Sequence, residues 1–259
     1  MPNSRPSAVT IGAYDGVHLG HRRVIDTVRS IAFEEGLRSV VVTFDRHPAT
    51  VVRPESAPNL LTDLDQKLEL LVKTGVDEVV VINFDEERAS ETAEAFVEDV
   101  LVGRLDVKVV VVGSDFHFGK GRGGNVALLE AMGEERGFRV VGFGLVEDPV
   151  HGQTVSSTRI RSLISEGELG AANLLLGRAY EVRGELCGLE VRVPAEILLP
   201  AAGDYGAQVA PISLSSKAEP VEVSVPLLPG SLRLSRELSG PLQGERVIVT
   251  FPGPQGSSG

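Results

Sequence analysis

Over roughly the first two thirds of the chain, short runs of consecutive apolar residues alternate with longer stretches of helical spacing. Residues 8–11, 39–44, 78–82, 108–112 and 138–143 read as strands. Three of them carry β-branched runs: Val40-Val41-Val42, Val79-Val80-Val81 and Val109-Val110-Val111-Val112. A strand that alternates polar and apolar residues faces water on one side. These do not, so both of their faces are expected to be covered. Between them, residues 20–36, 63–74, 91–102 and 125–137 have the spacing of amphipathic helices, with Leu64, Leu68 and Leu71 predicted on one face. Gly36, Gly75, Gly103 and Gly137 stand where those helices should stop. Strand–helix alternation predicts right-handed βαβ units, a buried parallel sheet with helices on both faces, and ligands at the carboxyl ends of its strands.

After Gly177 the pattern changes. Alternating stretches at 190–193, 221–225 and 246–251 are separated by Pro194, Pro200, Pro211, Pro220, Pro226, Pro229 and Pro241. This predicts a small antiparallel β domain, barrel-like, with the Gly-, Pro- and Ser-rich residues 252–259 as a disordered tail.

Charge and composition narrow the function. The chain has 259 residues, 25 basic and 36 acidic, for a net charge of −11. That balance argues against nucleic acid as a partner, because phosphate backbones need clustered Lys and Arg. A small anionic substrate held by a few local cations remains open. No apolar run approaches the ~18 residues a membrane helix needs. The polar residues 1–7 lead straight into the first strand, so no secretory segment is expected. The single cysteine, Cys187, excludes an internal disulfide framework and suits a reducing cytoplasm. No oligomeric state follows from these features.

Candidate chemistry gathers on loops of the first part. Gly12, Ala13, Tyr14, Asp15, Gly16, Val17, His18, Leu19, Gly20 and His21 form a turn between the first strand and the first helix. Glycines let backbone N–H groups approach a phosphate, and a helix start carries partial positive charge. A glycine-rich turn alone could simply tighten a strand–helix corner. His18 and His21, three apart at a helix start, can project to one side and donate to oxygens that gain charge in a transition state. Such a pair could also hold a metal, but no third ligand stands nearby, so no protein metal site is expected.

A second stretch, Ser156, Ser157, Thr158, Arg159, Ile160 and Arg161, precedes another amphipathic helix. One hydroxyl would serve as a helix cap; three with two arginines make a clamp for polyphosphate. A third, residues 113–124, follows the fourth strand and holds Asp115, Phe116, Phe118, Lys120 and Arg122. It reads as a binding loop or a lid; Phe116 and Phe118 cover a flat ring, or one of them is core. His47-Pro48, at another strand end, is either a ligand contact or a turn.

Together these residues resemble the bacterial riboflavin kinase/FMN adenylyltransferase family, the FAD synthetases, over residues 8–180. The resemblance implies a Rossmann-like nucleotidyltransferase domain at 1–180 that joins FMN and ATP into FAD and pyrophosphate with Mg²⁺, itself held mainly by the substrate phosphates. His18 and His21 would hold the reacting phosphates, with Arg161 as a third catalytic residue. Ser156, Ser157, Thr158 and Arg161 would hold the pyrophosphate. Gly12, Tyr14, Asp15, Gly16 and Gly20 would lie at the nucleotide, and His47, Pro48, Asp115 and Phe118 at the flavin. Tyr14 replaces the usual Phe, and Arg46 stands where Pro is usual before His47.

Residues 181–259 depart further from the family's kinase barrel. Its Gly-Phe-Pro-Thr-Ala-Asn stretch is replaced by Arg192, Val193, Pro194, Ala195, Glu196 and Ile197. Glu222 occupies the place of the catalytic base, but the His expected two residues later is Ser224. A shrunken, kinase-inactive barrel is therefore expected. The alternatives to FMN adenylyl transfer are the same chemistry on another phosphorylated acceptor, or a non-catalytic flavin- or nucleotide-binding regulator.

Overall fold

Successive side chains of a strand point to opposite faces, so a run of valines needs a core on each side of the sheet. The computed structural model, which describes residues 5–144, 146–147, 152, 154–213, 218–227, 230–239 and 244–253, shows both cores. The first strands are β1 (Ser7–Ile11), β2 (Arg38–Phe44), β3 (Glu78–Ile82), β4 (Val107–Gly113), β5 (His117–Phe118), β6 (Gly124–Asn125) and β7 (Arg139–Phe143). Five of them form a parallel sheet in the order β3-β2-β1-β4-β7, and β5 pairs with β6 as a small hairpin. Val40, Val42, Val110 and Val112 pack on one face with Val80, Leu101 and Leu129. On the other, Val41 meets Tyr14, Ile25 and Leu71, while Val109 and Val111 meet Ala8, Val28 and Ala32. The chain runs outward from β1 to β3 and then resumes on β1's other side at β4. A crevice between diverging loops opens at such a switch point.

The helices of this part are α1 (Leu19–Glu35), α2 (Ala49–Val52), α3 (Leu64–Val72), α4 (Glu86–Ser90), α5 (Ala93–Phe96) and α6 (Val126–Arg136). Gly36, Gly75 and Gly137 take the expected left-handed conformation, at φ of 67°, 79° and 78°. The helix expected at 91–102 is instead α5 followed by a π-helical stretch, Val97–Arg104. Gly103 is not its stop: the turn into β4 is made at Asp106, with φ 44°. The inward residues Val97, Leu101 and Leu105 recur every fourth position and stay buried through the wider winding. The inward side of α3 also differs from expectation. It carries Gln66, Lys67 and Leu71, with Leu64 and Leu68 only half-buried.

By contacts the chain divides into Met1–Pro58 with Leu64–Thr154, and Asn59–Asp63 with Val155–Gly259. The second unit begins with α7 (Ser157–Ser165) and α8 (Leu169–Leu176). It continues with β8 (Tyr180–Cys187), β9 (Glu190–Arg192), β10 (Gly203–Pro211), β11 (Glu219–Val225), β12 (Ser231–Leu234) and β13 (Arg246–Phe251). These close into an antiparallel barrel in the order β10-β11-β12-β9-β8-β13. Val182, Val191, Val209, Val223, Leu232, Val247, Val249 and Phe251 fill it, each at most 1% exposed. Gly184 marks a close crossing of β8 and β9, because a Cβ there would lie 2.4 Å from the Arg192 carbonyl oxygen.

The expected shrinkage of the barrel does not extend to its strand count. All six strands are present and the barrel closes, so brevity by itself says nothing against a kinase. The expected disordered tail lies, from residue 254 on, outside the described residues, as do residues 242–243.

Candidate active site

The turn after β1 is strained in a way an ordinary corner does not need. Tyr14 and Val17 have φ of 51° and 39°, and Gly16 between them has 81°. Positive φ in a β-branched residue is unusual, and such a conformation costs about 1–3 kcal/mol, held only where the surroundings overdetermine it. Here the surroundings do. The Val17 N–H donates to the Tyr14 carbonyl at 3.2 Å, Thr43 Oγ1 donates to the Ala13 carbonyl at 3.3 Å, and Val17 is fully buried. The Tyr14 ring packs in the core beside Ile25 and Leu71, and its hydroxyl shares a 2.7 Å hydrogen bond with Thr10. Burial pushes the Tyr14 phenol up from its ordinary range. The ring is thus structural, and what Tyr14 offers a ligand is main chain.

The same turn delivers the two histidines. His18 is the N-cap of α1, and its Nδ1 accepts from the His21 N–H at 3.3 Å. An accepting Nδ1 carries no proton, so in the neutral ring the proton sits on Nε2, which is a donor. The rings of His18 and His21 stack with centroids 3.5 Å apart, and Tyr14 meets His21 edge-on at 5.0 Å. The first turn of α1 has no acidic residue, so nothing there offsets the positive end of the helix dipole. This is an arrangement suited to phosphate: fixed imidazole donors on a helix start. Gly20 lies in that first turn, and Gly12 passes so close to the Tyr14 ring that a Cβ would approach it to 3.1 Å.

Beside the turn opens a cavity of about 550 Å³. Gly12 and Ala13 form one edge, and His47, Pro48, Phe44, Phe84, Phe96, Phe116 and Phe118 line much of the rest. Phe116 and Phe118 stack at 5.3 Å, and Phe44 meets Phe84 edge-on at 5.1 Å. Both Phe116 and Phe118 therefore face the cavity while packing on the core behind it. His47 Nδ1 accepts from the Ala49 N–H at 3.1 Å, so His47 is a turn-former whose ring also lines the cavity. Asp115 is exposed and is not among the lining residues. The loop after β4 is anchored: the Lys120 N–H donates to the Glu91 carbonyl at 2.8 Å, and Gly119 abuts Ala93 with no room for a Cβ.

Ser156–Arg161 lies in the second unit. Ser156 caps α7, its Oγ accepting from the Arg159 N–H at 3.3 Å. Ser157 is half-buried, Thr158 is exposed, and Arg161 Nε donates to the Asn59 carbonyl at 2.7 Å. Of the three hydroxyls, that of Ser156 serves as the helix cap.

Two features escape a reading by periodicity. Lys67 is buried, 7% exposed, and its Nζ donates to the Phe44 carbonyl at 2.6 Å at the end of β2. Burial lowers its pKa, opposed by the charges of Asp15 and Asp45. It places a cation beneath the turn that carries Asp15. The visible signal was a polar pair, Gln66-Lys67, on what should have been an apolar face. We expect Lys67→Met to cost about 1–3 kcal/mol, the penalty of leaving a buried carbonyl unpaired, read as a fall in the denaturant midpoint. An unchanged midpoint would show that the bond is not needed. The second feature is an ion pair, Arg88–Glu91, in the cavity wall.

No group of three or more His, Cys, Asp or Glu among the described residues is placed to hold a metal. No helix among them is long and apolar enough to cross a membrane.

A parallel sheet with a strained His-x-Gly-His turn after its first strand and a ring-sized cavity at its switch point defines a Rossmann-like nucleotide-binding domain of the nucleotidyltransferase type. Comparison with known proteins makes this specific. The FAD synthetase family model matches residues 1–159, and the chain belongs to that family. Its curated relatives include the bifunctional riboflavin kinase/FMN adenylyltransferases of Haemophilus influenzae, 38% identical, and Escherichia coli, 36% identical. These matches cover 69% of this chain and 58% and 56% of the relatives, so the chain spans less than two thirds of their length. A solved structure titled macrolide-efflux protein, from Streptococcus pneumoniae, is similar in fold at 24% identity. Its TM-score is 0.80, over 96% of this chain and 84% of that one.

Proposed function

We propose that this chain is an FMN adenylyltransferase. A phosphate oxygen of FMN attacks the α-phosphorus of ATP in line, the α–β bridging P–O bond breaks, and FAD and pyrophosphate are released. The observation that carries this reading is the shared edge between the aromatic cavity and the His18/His21 turn, formed by Gly12 and Ala13. A flat ring seated among the phenylalanines presents its phosphate tail to the turn that begins at Gly12 and Ala13 and runs on to His18 and His21.

The transfer needs little acid–base chemistry, so positioning and charge stabilisation dominate. In this reading His18 Nε2–H and His21 donate to the oxygens of the reacting phosphates. Ser156, Ser157, Thr158 and Arg161 hold the departing pyrophosphate, the arginine fork matching its oxygens. Mg²⁺, which prefers phosphate oxygens and water to a protein cage, supplies charge neutralisation on the polyphosphate. Residues 1–180 carry the transfer, including the clamp that the contacts group with the barrel.

The barrel formed by β8 to β13 does not phosphorylate riboflavin. Pro194, Ala195 and Glu196 stand where the family pattern has Pro, Thr and Ala, and Ile197 where it has Asn. The hydroxyl and amide for ATP and Mg²⁺ are thus missing. Glu222 is on the exposed face of β11.

The test of the first activity is incubation of the purified chain with ATP, Mg²⁺ and FMN. FAD and pyrophosphate are expected in equal amounts. FMN bound without turnover would make the chain a regulator, and neither event would point to another acceptor. With riboflavin in place of FMN, no FMN and no ADP are expected; ADP formed in step with FMN would overturn the loss of the kinase.

A further inference from the structure

Resting on the FMN reading above, we propose that Arg88 and Glu91 select the substrate ring by its polar edge. Glu91 accepts the ring N3–H, and Arg88 donates to a neighbouring ring carbonyl.

The pair has an unusual setting. Arg88 Nη1 and Glu91 Oε2 lie 2.6 Å apart, with side chains 30% and 17% exposed, in the wall of the phenylalanine-lined cavity. Ion pairs at a protein surface contribute little to stability, and removing one from water costs more still. A wall meant only to be packed would be apolar here, as Phe84, Phe96 and Ala89 beside it are. The main chain that carries the two side chains is also fixed from behind. The Arg88 N–H donates to the Asp85 Oδ1 cap of α4 at 2.9 Å, and the Glu91 carbonyl accepts the Lys120 N–H at 2.8 Å. The backbone at both residues is therefore held, and the two side chains hold each other, before a ligand arrives, which is what recognition of an orientation requires.

The chemistry matches one edge of a flavin. A guanidinium carries five N–H donors and a carboxylate two oxygens, so the Nη1–Oε2 bond uses only part of either group's capacity. Side by side they offer a donor and an acceptor. The flavin's imide edge reads C=O, N–H, C=O, the complementary pattern. The opposite, dimethylbenzene edge is apolar and suits the phenylalanines. Alternating donor and acceptor thus orients the ring as well as admitting it, and a ligand lacking the N–H leaves the Glu91 oxygen without its partner.

The experiment compares FMN with its N3-methyl analogue, each with ATP and Mg²⁺. The wild-type chain is expected to prefer FMN by about tenfold or more in kcat/KM, the loss of one hydrogen bond to a charged acceptor. In the double variant Arg88→Met/Glu91→Leu, KM for FMN rises about tenfold and the preference falls to within about twofold. KM for ATP moves less than about twofold, and the thermal midpoint verifies that the variant is folded. Glu91→Gln retains an acceptor oxygen and is expected to retain the preference, which a purely structural ion pair would not predict.

FAD formation by the wild type with an unchanged preference in the double variant overturns this assignment and leaves adenylyl transfer standing. A rise in KM for ATP instead of FMN also overturns it, placing adenine against the pair. A wild-type chain that neither binds FMN nor forms FAD overturns the reading beneath it as well.

Discussion

Replacing His21 by alanine is expected to lower the rate of FAD formation by about 10²–10³-fold, the loss typical of one preorganised donor to a developing charge. The fold should be untouched. His21 sits in the first turn of α1, its backbone N–H rather than its ring makes the cap bond to His18, and its ring stacks on His18 and meets Tyr14 edge-on. His18 is a harder case, because its ring both caps α1 and faces the proposed phosphates. His18→Ala therefore removes two things at once, the cap alone contributing about 0.5–2 kcal/mol. His18→Asn separates them: asparagine is a good N-cap, so stability returns while FAD formation stays low. The paired measurements are initial rates at saturating ATP and FMN, and urea midpoints. His21→Ala activity within about tenfold of wild type would remove the imidazole donors from the mechanism.

The largest stability effect should come from the barrel. Phe251, fully buried on the closing strand β13, packs against Tyr180 at 6.4 Å and Tyr205 at 5.9 Å. The strand itself pairs with β8 on one side and β10 on the other. Phe251→Ala opens a cavity where the barrel seals, at an expected cost of about 3–5 kcal/mol. The optical readout is favourable, since the chain has no tryptophan and three tyrosines, of which two flank Phe251. Near-ultraviolet circular dichroism through a denaturant titration should lose its tyrosine signal early in the variant. A cost below about 1 kcal/mol would mean that the barrel collapses around the gap.

The parts of this protein that were legible in the chain are those in which local chemistry and tertiary role agree. The valine runs of β2 and β4 announced a sheet covered on both faces, and both cores are present. Gly36, Gly75 and Gly137 announced helix ends because the left-handed turn each makes is a property of its own residue. Where a local rule met a competing long-range demand, the rule failed. Gly103 was passed over because the register of Val97, Leu101 and Leu105 against the sheet sets the helix length. On α3 the leucine stripe suggested an inward face, but the buried positions belong to Gln66, Lys67 and Leu71, since the Phe44 carbonyl and two carboxylates need a cation there. In the barrel, alternation does not reveal β8, β10 or β12: β8 mixes charged residues with Gly184, β10 carries Gly203 and Gly206, and β12 is only four residues long.

The sequence by itself determined the two-part organisation, the α/β sheet, the His-x-Gly-His turn and the family, because these rest on spacing and residue type within short windows. Only the tertiary structure decided which faces of those elements meet. It alone placed the Tyr14 ring in the core, closed six strands into a barrel, and brought five phenylalanines from four separate segments around one cavity with the Arg88–Glu91 pair in its wall. Burial, the cost of an unpaired charge and the complementarity of a cavity are properties of surfaces joined from distant parts of the chain. No local pattern encodes them.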